Sequence, residues 1–537
     1  MTAHPHTLAR RRWLHLLAAG SASALMPASW PASRAAAQGA RDLCAADGAF
    51  TQPLYVPGTD GWLARLDVGS APLAMRASAR NEKLAFEVAA GNRTIASPTL
   101  VAAAGAPVRV ELVNALAEPT IVHWHGLTMD TRNDGNGETL IAPGERYDYA
   151  FEMRNRAGLY WYHPHPHGAT ARQIYRGLFG LIEVTDDDER IVRKALDLAP
   201  GRTELALVLQ DRRVGDGDRY APAPEDELLG WYGCQPHVNG VLRPYHDIAA
   251  RRYRLRVLNA SNARTYRLAF RRDNGTALPM VLIGTDGGLL ERGIRCEQVL
   301  ISPAERVDLL VDFAGVAKGG FVVFESRAFD PMQAVTATSV ARSEEPATGH
   351  GHDAAGPMSA SMTDGASFDL MQFRIRATES GSGPALPERL SRLPPLVAAS
   401  GDERPLRLGF AKGRWRINDR VYDRQATPIE VARGASETWL LRNYHTSAPH
   451  AMHVHGFQFR VLERETSPDQ LAPLAIDARG RLPTDMGFKD TVLVWPGESV
   501  RIAIDFRLPY AGSQIYLVHC HNLEHEDAGM MLRIKVG

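Results

Sequence analysis

The chain has 537 residues, with 61 Lys plus Arg against 61 Asp plus Glu and 45% hydrophobic residues. That length allows about three domains of ordinary size. The balanced charge speaks against a nucleic-acid partner, and no run of about 18 apolar residues follows the N-terminal region, which excludes membrane insertion of the mature chain.

Residues 1–37 read as a twin-arginine signal peptide. Arg10, Arg11 and Arg12 precede Trp13, which stands where phenylalanine is usual, and a weakly apolar run extends to Met26. Ala35-Ala36-Ala37 offers a small-residue cleavage site. The segment predicts passage through the twin-arginine export machinery to a bacterial periplasm or exterior.

The body repeats itself. Val108 to Asn114, Tyr253 to Asn259 and Glu437 to Asn443 are strand-like segments that each close on asparagine, a natural turn residue. Ala142-Pro143-Gly144-Glu145, Ser302-Pro303-Ala304-Glu305 and Trp495-Pro496-Gly497-Glu498 each precede a further alternating strand. These signals predict an all-β fold of three consecutive β-sandwich units at 45–190, 195–340 and 370–537. The stretch between the last two, 341–369, is rich in Ser, Ala, Gly and Pro and reads as a flexible linker or loop.

Histidine pairs sort by unit. The first has His123-Trp124-His125 and His163-Pro164-His165; the third has His453-Val454-His455 and His519-Cys520-His521; the middle has none. One pair in each outer unit follows the asparagine-ended strand, and the other follows the strand after the Pro-Gly-Glu turn. Duplicated metal sites on a duplicated scaffold account for this arrangement. His167 extends the second pair, but Trp161-Tyr162 anchors the ligand reading on His163 and His165. His237, His246, His350, His352 and His445 lie outside these blocks and read as structural or surface histidines.

The last block supplies the redox signal. On a strand, His519 and His521 face one way and Cys520 the other. Cys520, His525 and Met530, completed by His450, provide the thiolate, two imidazoles and thioether of a blue-copper site. A one-electron site wired through neighbouring residues to a polynuclear imidazole site implies a multi-electron acceptor, and dioxygen is the obvious one. If Cys520 binds metal, Cys44, Cys234 and Cys296 remain, allowing one disulfide in any of three pairings.

The blocks HWHG at 123–126, WYHPH at 161–165, HAMHVHG at 450–456 and HCHNLEHEDAGMM at 519–531 closely resemble those of three-domain bacterial multicopper oxidases, the laccase-like and periplasmic copper oxidases. The resemblance implies three cupredoxin-type Greek-key domains and four copper ions. A type 1 copper would use His450, Cys520, His525 and Met530. A type 2 copper would use His123 and His453. A type 3 pair would use His125, His163, His165, His455, His519 and His521. It further implies one-electron oxidation of a small-molecule or metal-ion reductant and four-electron reduction of O2 to water. Asp134 and Glu526 resemble the family's proton-relaying carboxylates.

Axial Met530 implies moderate potential, and Thr446 and Ala448 occupy the approach where cuprous oxidases carry acidic or sulfur ligands. The 343–366 loop offers only Met358 and Met362, with His350, His352 and Asp353 nearby, and reads as a solvated linker. The favoured substrates are therefore phenols and aromatic amines, with cuprous ion in copper tolerance as the alternative. A non-catalytic copper-storage protein is the rival of another class. A copper nitrite reductase needs fewer histidine pairs, and a copper-free division protein of this fold would lack ligands.

Overall fold

The computed structural model describes residues 49–58, 61–213, 218–333, 364–378, 384–397, 399 and 401–537. The signal peptide, Cys44 and positions 341–363 of the expected linker lie outside the described residues. Six sheets pair into three consecutive β-sandwiches, so the fold is all-β. Among the described residues no helix is long and apolar enough to cross a membrane.

In the first unit a sheet containing Leu73–Arg80, Pro107–Asn114 and Arg146–Glu152 faces one containing Val122–His125, Gly158–Pro164 and Gly180–Thr185. Alternation decides the faces: Val108, Val110 and Leu112 enter the core, while Arg109 and Val113 stay exposed. The third unit repeats the plan, with Ser436–Asn443 and Ser499–Asp505 in one sheet and His450–Val454 and Gln514–Cys520 in the other.

The three asparagines do more than turn the chain. Asn114 donates through Nδ2 to the carbonyls of Glu118 and Ile141. Asn259 donates to Arg264 and Ile301, and Asn443 to Ala448 and Val494. Each buried amide thus ties the end of its strand to the residue just before the proline-bearing turn. The two repeated motifs recur together because one is hydrogen-bonded to the other. A buried amide with satisfied donors can sit in a core that would reject an unpaired one.

The expected start of the third unit at 370 is corrected. Phe368–Thr378 pairs in parallel with Tyr245–Ala250 and antiparallel with Phe321–Ser326, inside the middle sandwich. Its Phe368, Leu370, Met371, Phe373 and Ile375 fill the same core as Phe270 and Phe324. The first large strand of the third sandwich is Arg404–Ala411.

An ionic cluster locks the first unit to the middle one. Arg254, fully buried, donates to Glu189 Oε1 at 2.5 Å, to Glu204 Oε2 at 3.0 Å and to Asp308. Glu183, itself paired with Arg65, joins it through Arg193, which also pairs with Glu189 and Glu204. Glu189 belongs to Asp187–Ala195, the helix that follows the first unit's last strand.

Candidate metal centres

Register sets the histidines side by side. His123 pairs with His163 across two antiparallel strands of the first unit, and His453 with His519 in the third. The intervening side chains go the other way: Trp124 into the first core, Cys520 into the third. His519 and His521 are thereby left facing the first unit's histidines. Ring centroids lie 3.8 Å apart for His123 and His455, 3.7 Å for His125 and His453, and 5.0 Å for His165 and His519. His521 lies 5.1 Å from His125 and 5.3 Å from His163.

All eight imidazoles are buried, and several have bare nitrogens. His123 Nε2, His453 Nε2, His165 Nδ1 and both nitrogens of His521 have no hydrogen-bond partner. Such orphans are expensive in a protein interior unless something else engages them. Burial holds His123 at about 3 and drives the pKa of His125, His163, His165, His453, His455 and His521 well below the ordinary value. These seven rings are therefore neutral, the form that binds metal. Three overlapping trios, His123/His453/His455, His123/His125/His163 and His165/His455/His519, keep their nitrogens within 4.8 Å of one another.

A second centre lies on the far side of Cys520. Its Sγ is 3.5 Å from His450 Nδ1 and 3.7 Å from His525 Nδ1. Met530 is buried in the same core. Burial pushes the Cys520 thiol up to about 12 and His525 down to about 3. A thiol so placed loses its proton only when a cation displaces it, and a soft donor beside two imidazoles suits copper. The donor sets on both sides of Cys520 thus fit a copper protein.

Comparison with known proteins agrees. Residues 74–189 and 399–537 match models of the multicopper oxidase family. The laccase of Bacillus subtilis is 31% identical over 456 residues, covering 77% of this chain and 78% of its own. The laccase of Haloferax volcanii is 31% identical over 432 residues, covering 77% of this chain and 66% of its own. The crystal structure of the McoA multicopper oxidase of Aquifex aeolicus superimposes with a TM-score of 0.77 at 30% identity, over 91% of this chain and 100% of that one. The chain belongs to the multicopper oxidases. Membership brings copper, a reductant and dioxygen as acceptor, and makes the protein an oxidoreductase rather than a copper store. The three sandwiches are the family's cupredoxin-type domains.

Two carboxylates of this multicopper oxidase, Asp134 and Glu526, lie beside the buried imidazoles. Asp134 closes the short helix Thr131–Asp134, whose N-cap Asp130 accepts from Asn133 N. The carbonyl of Asp134 accepts from His123 Nδ1 at 2.7 Å, and its Oδ2 accepts from His455 Nδ1 at 2.9 Å. Oδ1 is buried 3.7 Å from His123 Nδ1 with no hydrogen bond, and burial raises the carboxyl well above the usual carboxylate range. Gly135 follows at φ 69°, where a Cβ would lie 1.8 Å from the carbonyl of Val122. Glu526 approaches His165 Nε2 at 3.4 Å and His519 Nδ1 at 3.2 Å, without hydrogen-bond geometry at either oxygen.

His167 donates to the carbonyl of Asn136 at 3.1 Å and belongs to none of the metal-capable groups of the described residues, and neither do His237, His246 and His445. His350, His352, Met358 and Met362 lie outside the described residues. Cys234 is disulfide-bonded, while Cys296 and Cys520 are free thiols.

Sequence reasoning missed three features. Asp490 accepts from His125 Nε2 at 3.0 Å. Ser447 Oγ lies 3.1 Å from His450 Nε2. Third, the middle unit's helix Pro224–Leu229 closes over the thiolate site: the Leu228 carbonyl accepts from His525 Nε2 at 2.9 Å and from Trp415 Nε1 at 2.7 Å. Glu524, beside His525, ties the same region down by accepting from Asn262, Trp231 N and Tyr220. No local motif announces a backbone carbonyl as a partner.

Proposed function

We propose that this multicopper oxidase is laccase-like. It oxidises phenols and aromatic amines one electron at a time at a type 1 site of His450, Cys520, His525 and Met530. Three further coppers are held by His123 and His453 (type 2) and by His125, His163, His165, His455, His519 and His521 (type 3). Copper at these sites would supply one-electron transfer on the thiolate side and reduction of dioxygen to water on the imidazole side. The observation that carries the reading is the position of Cys520. It stands with His450 and His525, while its direct neighbours face the other way, His519 grouped with His165 and His455 and His521 packed against His125 and His163, so two covalent links would join the sites.

Asp134 has the placing of a proton donor. It is buried, its Oδ1 accepts no hydrogen bond, and burial favours its protonated form. Glu526 is its counterpart on the other face of the cluster. In Asp134→Asn, reduction of the blue site by substrate under anaerobic stopped flow proceeds at the parent rate. Reoxidation by dioxygen slows by about 10²–10⁴-fold, the range for loss of a positioned proton donor. Equal reoxidation rates would remove Asp134 from proton delivery.

A second reading, cuprous oxidation, draws support from the cap. Glu225 and Glu227 are exposed on the helix whose Leu228 carbonyl meets His525. Oxygen uptake by the copper-loaded chain, offered dimethoxyphenol and cuprous ion in parallel, separates the two. Rapid uptake with the phenol alone supports the laccase reading; rapid uptake with cuprous ion alone replaces it. A periplasmic or secreted location is supported by the twin-arginine segment and by the disulfide at Cys234, which suits an oxidising compartment.

A further inference from the structure

Asp490 is the third unit's counterpart of Asp134. Its carbonyl accepts from His453 Nδ1 at 2.7 Å, as that of Asp134 does from His123. The carboxylates then cross between units: Asp134 takes His455 of the third, Asp490 takes His125 of the first. The two differ in what stands behind them. Asp134 Oδ1 accepts no hydrogen bond. Asp490 is gripped by Arg306 of the middle unit, Nη1 to Oδ1 at 2.8 Å and Nη2 to Oδ2 at 2.6 Å.

Arg306 spends every donor it has. Besides the fork on Asp490, Nε donates to the Leu159 carbonyl at 3.0 Å, Nη1 to Ala304 at 3.0 Å and Nη2 to Asp286 at 2.9 Å. A guanidinium has five N–H groups, so none is left over. One buried side chain thereby touches all three units. The first motif also makes room for the pair. A Cβ on Gly126 would lie 2.3 Å from Asp490 Oδ2 and 2.9 Å from Arg306 Nη2, at φ +83°.

The hydrogen bonds also distinguish His125 from its neighbours. His123, His453, His455 and His163 give Nδ1 to protein oxygens and turn Nε2 toward the other rings, with no hydrogen-bond partner for His123 and His453 and 3.0 Å from His519 Nε2 for His455. His125 gives Nε2 to Asp490 and turns Nδ1 to within 3.3 Å of His163 Nε2. An acceptor-only carboxylate with a fixed cation behind it demands N–H at that nitrogen.

We propose that Asp490, clamped by Arg306, is a positioning residue that fixes His125 in its Nε2–H form and aims Nδ1 at the cluster. The proposal rests on the copper assignment given above. Loss of such an outer partner lowers metal affinity by about 10–100-fold.

The test uses the full chain loaded with copper. In Asp490→Asn, chelator competition shows that drop for the cluster copper. Electron paramagnetic resonance gains signal from copper no longer coupled to a neighbour, and the blue absorbance of the Cys520 site stays at the parent value. Parent affinity with unchanged resonance overturns the proposal. So does a parallel loss of blue colour and cluster copper, which marks a merely structural role. If Asp490→Asn fails to fold, Arg306→Lys decides: it keeps the charge but not the fork, and shows the same selective loss or overturns the proposal by lacking it. A parent protein without a coupled copper pair refutes the copper assignment instead, so the two failures are told apart.

Discussion

Cys520→Ser leaves a folded protein without blue colour and with turnover reduced by more than about 100-fold, the upper end of the cost of losing even an outer partner of a metal ligand. The strand does not depend on the thiol, because Cys520 is held by backbone pairing with Met452 and by a bond from its N–H to the Met530 carbonyl. Serine is close in size, so the surrounding core of Met452, Val454 and Val518 closes around it. The change is chemical. A hydroxyl neither ionises nor supplies the soft sulfur that selects copper. Copper analysis with absorbance and oxygen uptake checks this: the thiolate site empties while the imidazole cluster keeps its metal. Parent-level uptake with any reductant would mean that electrons enter by another route.

Arg254→Met lowers stability by about 3–5 kcal/mol, the cost of leaving buried charges without their partner. Glu189, Glu204 and Asp308 all aim oxygens at this one guanidinium, in a seam that water does not reach. Methionine fills the stem's volume but answers none of those charges. The midpoint of thermal unfolding falls accordingly, and a drop indistinguishable from that of an exposed Arg414→Met control would show the cluster to be energetically neutral. The same seam is acid-sensitive. Burial works to raise the Glu183 carboxyl, yet Arg256, Arg65 and Arg193 hold it far below its ordinary 4.5. A depressed carboxylate contributes stability that is complete above its unfolded value and lost as pH falls below it. Unfolding midpoints should therefore decline below about pH 4.5, and less steeply in a Glu183→Gln variant.

The histidines and cysteine of the candidate centres stand out in the sequence because their pattern is local. Alternation along a strand places His519 and Cys520 on opposite faces with no knowledge of the rest of the fold, and the histidine pairs recur at matching points of a repeat. The asparagine-ended strands were legible as a pattern but not as a cause. Asn114, Asn259 and Asn443 read as turn formers and are buried ties between two motifs. Phe368–Thr378 alternates like any strand, so nothing in its own residues assigns it to the middle sandwich rather than the third. Arg306 and Asp490 lie 184 positions apart and carry no motif, so their pairing exists only once three units have docked.

The helix Pro224–Leu229 has one more consequence. The Leu228 carbonyl already occupies the outer nitrogen of His525, and Ser447 that of His450, so with copper held as proposed a reductant finds neither nitrogen open to it. On that reading charge alone would cross the final few ångströms, by way of the Leu228 peptide and the Trp415 indole that it binds. Such a barrier is indifferent to the outline of the donor and sensitive to its redox potential and to how little its geometry changes on oxidation. Rates across a series of phenols with graded ring substituents should then follow driving force on a single curve, with bulk entering only through how near the donor settles to the surface above Leu228 and Trp415.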